Sequence, residues 1–353
     1  MRFTRLASSS ALAAVLLTAA HAQRAADGAA TAAAVASSMS AEQLADALID
    51  RSGNFVPEDK AAAEATLKTA IASDKNNATW PLALGILKMR EGEAADAKPY
   101  LEKAAELAPR DPDALNWYAN ALFSTINEAS LFAKGRMAGQ AKDLLIKAVE
   151  IDPGYVDARI ALIEFYRNAP GIAGGSMKKA KENAEALLTF PDGKIHGHRL
   201  LATIAMQEDD WDTANEHIMI AAREAATGED RARLLMAHAY GLLTEKKDAA
   251  AALPIALEAY ETLGENADFS TIYVYARALA ETGDCATAVP LFERVLVLNE
   301  EARTTRFLLA ECLEKQGENA RAIAVYEEFV ERFPKDDNAS KAKKAIKDLQ
   351  KRK

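Results

Sequence analysis

The stretch Pro170-Gly-Ile-Ala-Gly-Gly-Ser176, followed by Lys178 and Lys179, is the strongest chemical motif in these 353 residues. Glycine-rich backbone ahead of a helix can turn its N–H groups on an anion. A phosphate loop, however, needs Gly-Lys-Ser/Thr after a spaced glycine, with a strand before it, and this stretch has neither. It is therefore expected to be an extended loop between two helices. If it has a use, that use is partner contact, so alanine at Gly174 and Gly175 should weaken partner binding more than thermal stability. His196 and His198 are two apart and fall on different faces of a helix, whereas metal ligands on one helix want a spacing of three or four. With His217 and His238 they are expected to be ordinary surface histidines, and no metal or other cofactor is implied. Acids are plentiful, but none is paired within an apolar surround, and no serine sits in a Gly-x-Ser-x-Gly elbow. The chain is expected not to be an enzyme.

Amphipathic helices must position whatever function there is. Residues 303–336 hold two apolar stripes at i, i+3, i+4, i+7 spacing around a turn, Gln316-Gly317-Glu318-Asn319. With Arg303 as phase 1, Gly317 is phase 15, Ala322 phase 20, Tyr326 phase 24, Phe329 phase 27 and Pro334 phase 32. Ala78 opens a second copy (Leu84, Gly85, Gly92, Ala97, Leu101, Ala104, Pro109). Phe269 opens a third (Tyr275, Ala276, Gly283, Ala288, Phe292, Val295). Weaker copies start near 112, 156, 195 and 233. The copy at 112 carries about ten inserted residues between its helices, and the copy at 156 is interrupted by residues 169–176. Pro99, Pro254 and Pro290 all fall at phase 22, early enough in a helix to be tolerated. Ahead of Ala78, Ala63, Leu67 and Ala70 fit a second helix, and residues 42–50 its first. The insertions carry Ile126, Leu131, Phe132 and Ile172, apolar residues expected to be buried within the protein.

This pattern of Leu and a small residue, a turn glycine, then Ala, an aromatic and a closing Pro resembles the tetratricopeptide repeat. The resemblance covers residues 41–336 and implies an all-α fold, an α-α superhelical solenoid of helix pairs, with 337–353 as a basic C-terminal capping helix. Proteins of this family usually bind proteins or peptides along a concave groove lined by phases 2, 5, 9, 12 and 13 of each first helix. The matching positions here are Asp113, Asn116 and Asn120; Asp157, Ile160, Glu164, Arg167 and Asn168; His196, Arg199, Thr203, Met206 and Gln207; Tyr273 and Arg277; and Phe307, Glu311 and Lys315. The carboxylate clamp of chaperone-binding members needs Lys at phase 5. Asn116 stands there, so the clamp is not supported, although Asn120 fits at phase 9. The resemblance implies a scaffold with a protein or peptide partner. The alternative is a binding protein for a small ligand or an anionic polymer, its groove covered by the inserted loops.

Residues 1–22 read as a secretory signal peptide: Arg2 and Arg5, the apolar run of residues 11–20, then Ala20-His21-Ala22. Residues 23–40 read as a flexible lead. The Ala-rich style of the signal points to a bacterial envelope, so export to the periplasm is expected; no later stretch is apolar enough to span a membrane, so no transmembrane segment is expected in the mature chain. The net charge of −9 disfavours nucleic acid as a partner. Seven bases in residues 341–353 face only Asp348, which suits a capping helix with a solvated basic face. The two cysteines, Cys285 at phase 17 and Cys312 at phase 10 of the next copy, fall at one level of the stack. They are either a disulfide or two small core residues.

Overall fold

The computed structural model describes residues 39–351; the expected signal peptide and nearly all of the expected lead lie outside them. Among the described residues there are seventeen α-helices, short 3-10 and π pieces, and no strand. None of these helices is long and apolar enough to cross a membrane. The chain forms two compact units that divide at residue 183.

The first unit contains α1 (Ala41–Ile49), α2 (Lys60–Ser73), α3 (Thr79–Arg90), α4 (Ala94–Leu107), α5 (Pro112–Thr125), α6 (Leu131–Ile151), α7 (Val156–Asn168) and the start of α8 (Met177–Leu187). Here α3 pairs with α4 and α5 with α6, and α4 stacks on α5. Gly85 sits so close to α4 that a Cβ there would lie 2.4 Å from a Leu101 methyl. Ala97, Ala104, Ala119, Ala141 and Ala148 are fully buried at the small-residue phases. The first pair departs from this rule: α1 packs mainly on α3 rather than on α2. Residues 50–59 separate α1 from α2, whereas α3 and α4 are joined by residues 91–93 alone.

Both insertions differ from expectation. The residues inserted after α5 add turns to the front of α6, ahead of Ala141, Leu145 and Ala148, which are the residues buried in the unit. Phe132 lies in those added turns and is 91% exposed; Ile172, in a 3-10 turn after α7, is 103% exposed. The expectation that these side chains are buried is therefore corrected. Residues 169–176 fold back on α7: Gly175 N–H donates to Pro170 O (3.1 Å) and Ser176 N–H to Tyr166 O (2.7 Å). Gly174 has φ +97°, and a Cβ on Gly175 would lie 1.8 Å from Ala169 O. These glycines are needed by the turn itself.

The second unit holds the rest of α8, then α9 (Lys194–Gln207), α10 (Trp211–Glu224), α11 (Gly228–Gly241), α12 (Ala249–Leu263), α13 (Phe269–Thr282), α14 (Cys285–Leu298), α15 (Arg303–Lys315), α16 (Asn319–Arg332) and α17 (Ala339–Lys351). Successive helices from α9 to α17 pack on one another. Phe292, Phe307, Tyr326 and Phe329 fill the core of its last pairs. Helix α17 closes the stack on α16 through Ala339, Ala342 and Leu349, with Lys341, Lys343, Lys344 and Lys347 exposed. Helix α11 starts at Gly228, ahead of the expected Arg233, because Thr227 caps it, accepting the Asp230 N–H. A π turn, Leu242–Lys246, follows.

A left-handed residue recurs at phase 15, between first and second helices. Gly92, Gly283 and Gly317 occupy it with φ of +82°, +99° and +77°. In the copies beginning near 195 and 233 the same position holds Asp209 (φ +64°) and Lys247 (φ +59°). Asp209 also accepts a hydrogen bond from Trp211 Nε1 (2.8 Å). The next residue, Asp210, Asp248 or Asp284, then caps the second helix by accepting the N–H three residues on.

Two stability predictions follow from this backbone. Gly175→Ala is expected to cost about 2 kcal/mol or more in urea unfolding, because the clash is with main chain that cannot yield. Lys247→Gly is expected to stabilise by roughly 0.5–1 kcal/mol, since relief of the left-handed strain exceeds glycine's added unfolded-state freedom.

Candidate functional site

In the first unit the expected groove residues meet, but they are already engaged. Asp113, in the first turn of α5, takes Arg51 bidentately: Nε to Oδ1 at 2.7 Å and Nη2 to Oδ2 at 2.9 Å. The remaining nitrogen of the guanidinium, Nη1, donates to Asp152 Oδ2 at 2.7 Å. Its plane lies over the Tyr155 ring, 3.6 Å from the centroid. Tyr155 in turn donates its hydroxyl to Asp113 Oδ1 (2.7 Å) and accepts from Asn116 Nδ2 (3.1 Å). Asn120 donates to Asn116 Oδ1 at 3.3 Å. Burial disfavours the charged guanidinium, but the bonds to Asp113 and Asp152 outweigh it and hold Arg51 protonated more firmly than a free arginine. Burial, and then the Asp113 charge, push the Tyr155 phenol up.

Arg90, in the last turn of α3, extends this network. It donates to Phe55 O (2.6 Å) and Gly53 O (3.3 Å) and faces the Trp117 ring at 6.0 Å. Residues 51–55 thus run from the first turn of α5 to the last turn of α3. Sequence reasoning missed Arg51, Asp152, Tyr155, Arg90 and Trp117. Arg90 is at phase 13 of its copy, so the same numbering would have found it.

Three expected groove contacts are corrected. Asn116 is buried, 3% exposed, and serves Tyr155. Arg167 is buried too, its Nη2 bonded to Glu164 Oε2 at 2.6 Å, while Asn168 Nδ2 donates to the same carboxylate at 2.9 Å. Phe307 belongs to the core, against Tyr326 and Phe329. All three fall on the side of the first helix that its neighbours cover.

In the second unit His196, Arg199, Tyr273 and Arg277 are half-buried on α9 and α13. Arg277 Nε bonds Glu281 Oε1 at 2.6 Å. Burial raises the Tyr273 phenol, with Arg277 opposing. Glu311 on α15 is half-buried; burial raises its carboxyl, and Lys315 and Lys341 pull against the rise. Cys285 and Cys312 are joined by a disulfide, with Cα atoms 5.1 Å apart, tying the start of α14 to α15.

The histidines differ from expectation. His198 and His217 face each other across α9 and α10, Nδ1 to Nδ1 at 2.9 Å, a pairing invisible to spacing rules within one helix. Burial and then the His217 charge lower His198. His238 is not a surface residue: it is 1% exposed, tilted against Trp211, and neither ring nitrogen finds a hydrogen-bond partner among the described residues. Burial lowers it to about 4. No group of three potential metal ligands converges among the described residues.

Helix pairs with small residues at fixed phases, a left-handed turn and a capped second helix define a repeat protein. Residues 82–156 and 273–337 match the tetratricopeptide repeat family. Among solved structures the chain resembles yeast Tom70 (16% identity, TM-score 0.50, 90% of this chain and 65% of that one). A tetratricopeptide repeat protein from Parabacteroides merdae is also similar (14% identity, TM-score 0.49, 77% of this chain and 99% of that one). So is MamA (24% identity, TM-score 0.39, 47% of this chain and 88% of that one). The likeness to Tom70 concerns the fold alone. No curated protein matches the chain.

His238 gives this part of the structure a pH dependence. Its folded value, about 4, is below the ordinary 6.5, so the unfolded chain binds a proton that the folded chain refuses. The associated stability is complete above pH 6.5 and falls away as pH drops toward 4, by roughly 3 kcal/mol in all. His238→Phe is expected to flatten that part of the curve of unfolding free energy against pH. The difference in slope between variant and parent, measured by urea unfolding, checks it independently of the baseline.

Proposed function

We propose that this protein is a non-catalytic scaffold of the bacterial cell envelope that holds a protein or peptide partner along the face made by the first helix of each pair. The carrying observation is the array on α13: Tyr273 and Arg277 are half-buried, and Arg277 is held by Glu281 at 2.6 Å. An aromatic and an arginine with restricted freedom lose little entropy on contact, and both types dominate binding energy at protein interfaces. The mechanism is complementarity of shape and charge on a preformed surface, with no reaction. The Cys285–Cys312 bond suits an oxidising compartment and so supports export. The acidic composition, −9 overall, favours a protein over nucleic acid.

The test is photo-crosslinking in the native host, with the probe at Arg199, at Tyr273 and, as a control, at Val297, an 84% exposed residue of the second helix α14. One specific protein captured from Arg199 and Tyr273 but not from Val297 is expected. Capture from Val297 alone would show that the other face binds. Small-molecule adducts without protein would remove the scaffold reading.

A further inference from the structure

We infer that the first unit carries a receptor site for an arginine side chain presented by an extended peptide, and that residues 50–56 of the same chain fill it. The inference deepens the scaffold reading and rests on it: it names the chemistry of the partner.

The site is built from side chains of distant origin. Asp113 offers both carboxylate oxygens to the guanidinium, Asp152 a third, and the Tyr155 ring an apolar and electron-rich floor at 3.6 Å. A bidentate fork plus a stacked ring favours arginine over lysine, whose ammonium is a point charge with no planar fork to match both carboxylate oxygens and no flat face to stack. Tyr155, itself held by Asn116, donates its hydroxyl to Asp113; Tyr155 and Asn116 are both 3% exposed, so the carboxylate has a buried partner besides Arg51.

The occupant is bound as a peptide is bound. Residues 53–57 have no regular secondary structure, and Arg51, Ser52, Asn54 and Val56 are exposed. Besides the Arg51 side chain, the segment gives the carbonyls of Gly53 and Phe55 to Arg90. Carbonyls two residues apart face one side in an extended strand, so Arg90 reads backbone and not sequence. The segment is also longer than a turn between paired helices requires. Residues 91–93 suffice between α3 and α4, and residues 208–210 between α9 and α10, against 50–59 here. The added length lies across the first-helix face and ends at Pro57, which is buried.

A partner bearing an arginine in an extended segment would displace residues 50–56 from the same contacts. The test uses the full chain and a fluorescein-labelled peptide with the sequence of residues 48–57, followed by anisotropy. The peptide is expected to bind the Arg51→Ala chain at least about tenfold more tightly than the parent, whose site is filled. It should lose that binding when its own arginine is alanine, or when Asp113→Asn is added to the chain. Failure to bind an Arg51→Ala chain that keeps its helical circular dichroism would overturn the inference, as would binding indifferent to the peptide's arginine. A measurement on the unmodified chain decides the matter if that variant does not fold. Acetyl-arginine amide should speed hydrogen exchange of residues 50–56, and acetyl-lysine amide at equal ionic strength should not; equal effects would overturn the proposal. Protein capture from Arg199 or Tyr273 alongside a failed peptide experiment would remove the arginine site and leave the scaffold standing.

Discussion

Close approach of helix axes governs this protein. Two helices can come together along their length only where the facing residue carries one carbon or none. Gly85 shows the limit: a single added carbon would sit 2.4 Å from Leu101. Ala97, Ala214, Ala252, Ala288 and Ala322, all at phase 20, show the rule, since each is fully buried. With those contacts in place, each helix has one face against its partner and another against the next pair, and only the remaining positions are free to vary. Stability therefore accumulates repeat by repeat, and the last exposed apolar face needs a lid. Helix α17 supplies it with Ala339, Ala342 and Leu349, while its lysines stay in water.

The periodic part of the structure was legible because it is local. A small residue at phase 8, a turn residue at phase 15 and an alanine at phase 20 report on neighbours within one helix pair, so counting residues finds them. Two substitutions at the turn show how far the pattern can degrade. Asp209 and Lys247 take the left-handed conformation that glycine takes elsewhere, and the aspartate that follows each of them still caps the second helix. The site was less legible. Arg51 reaches Asp113 and Asp152 across 62 and 101 residues of sequence, and no period links a linker arginine to those two acids. Groove positions taken from a family pattern were also too generous. Asn116 and Arg167 are at the right phases but are covered, because a helix turns only a narrow strip outward between two neighbours. His198 and His217 were missed for a related reason: their pairing depends on the register between two helices, which spacing within one helix does not encode.

Charge plays different parts at different depths. Arg332 bonds Glu300, Glu301 and Glu328, and Arg321 bonds Glu293 and Glu318, but these acids are exposed and such pairs contribute little to folding. They lie on the outer surface of the last repeats. The Arg51 cluster differs in kind. Its members are partly withdrawn from water, and Asp113 shows 16% of its side chain. Removing one member there would strand the others, which gives the cluster a specificity that the surface pairs lack.

Under the scaffold proposal the two units put the same repeat to different ends. Around Asp113 the first-helix face is polar, charge-assisted and filled by the chain itself. On α13 of the second unit it carries a half-buried tyrosine, packed against the core clusters of the neighbouring helices, and a half-buried arginine bonded to Glu281. The Cys285–Cys312 disulfide ties α14 to α15, and Phe292, Phe307, Tyr326 and Phe329 pack together in the helices just after α13. A preformed surface binds without an ordering cost, whereas a prefilled one binds only a competitor that matches its occupant. The repeat scaffold leaves that difference to a handful of side chains, because everything else on each helix is committed to close packing.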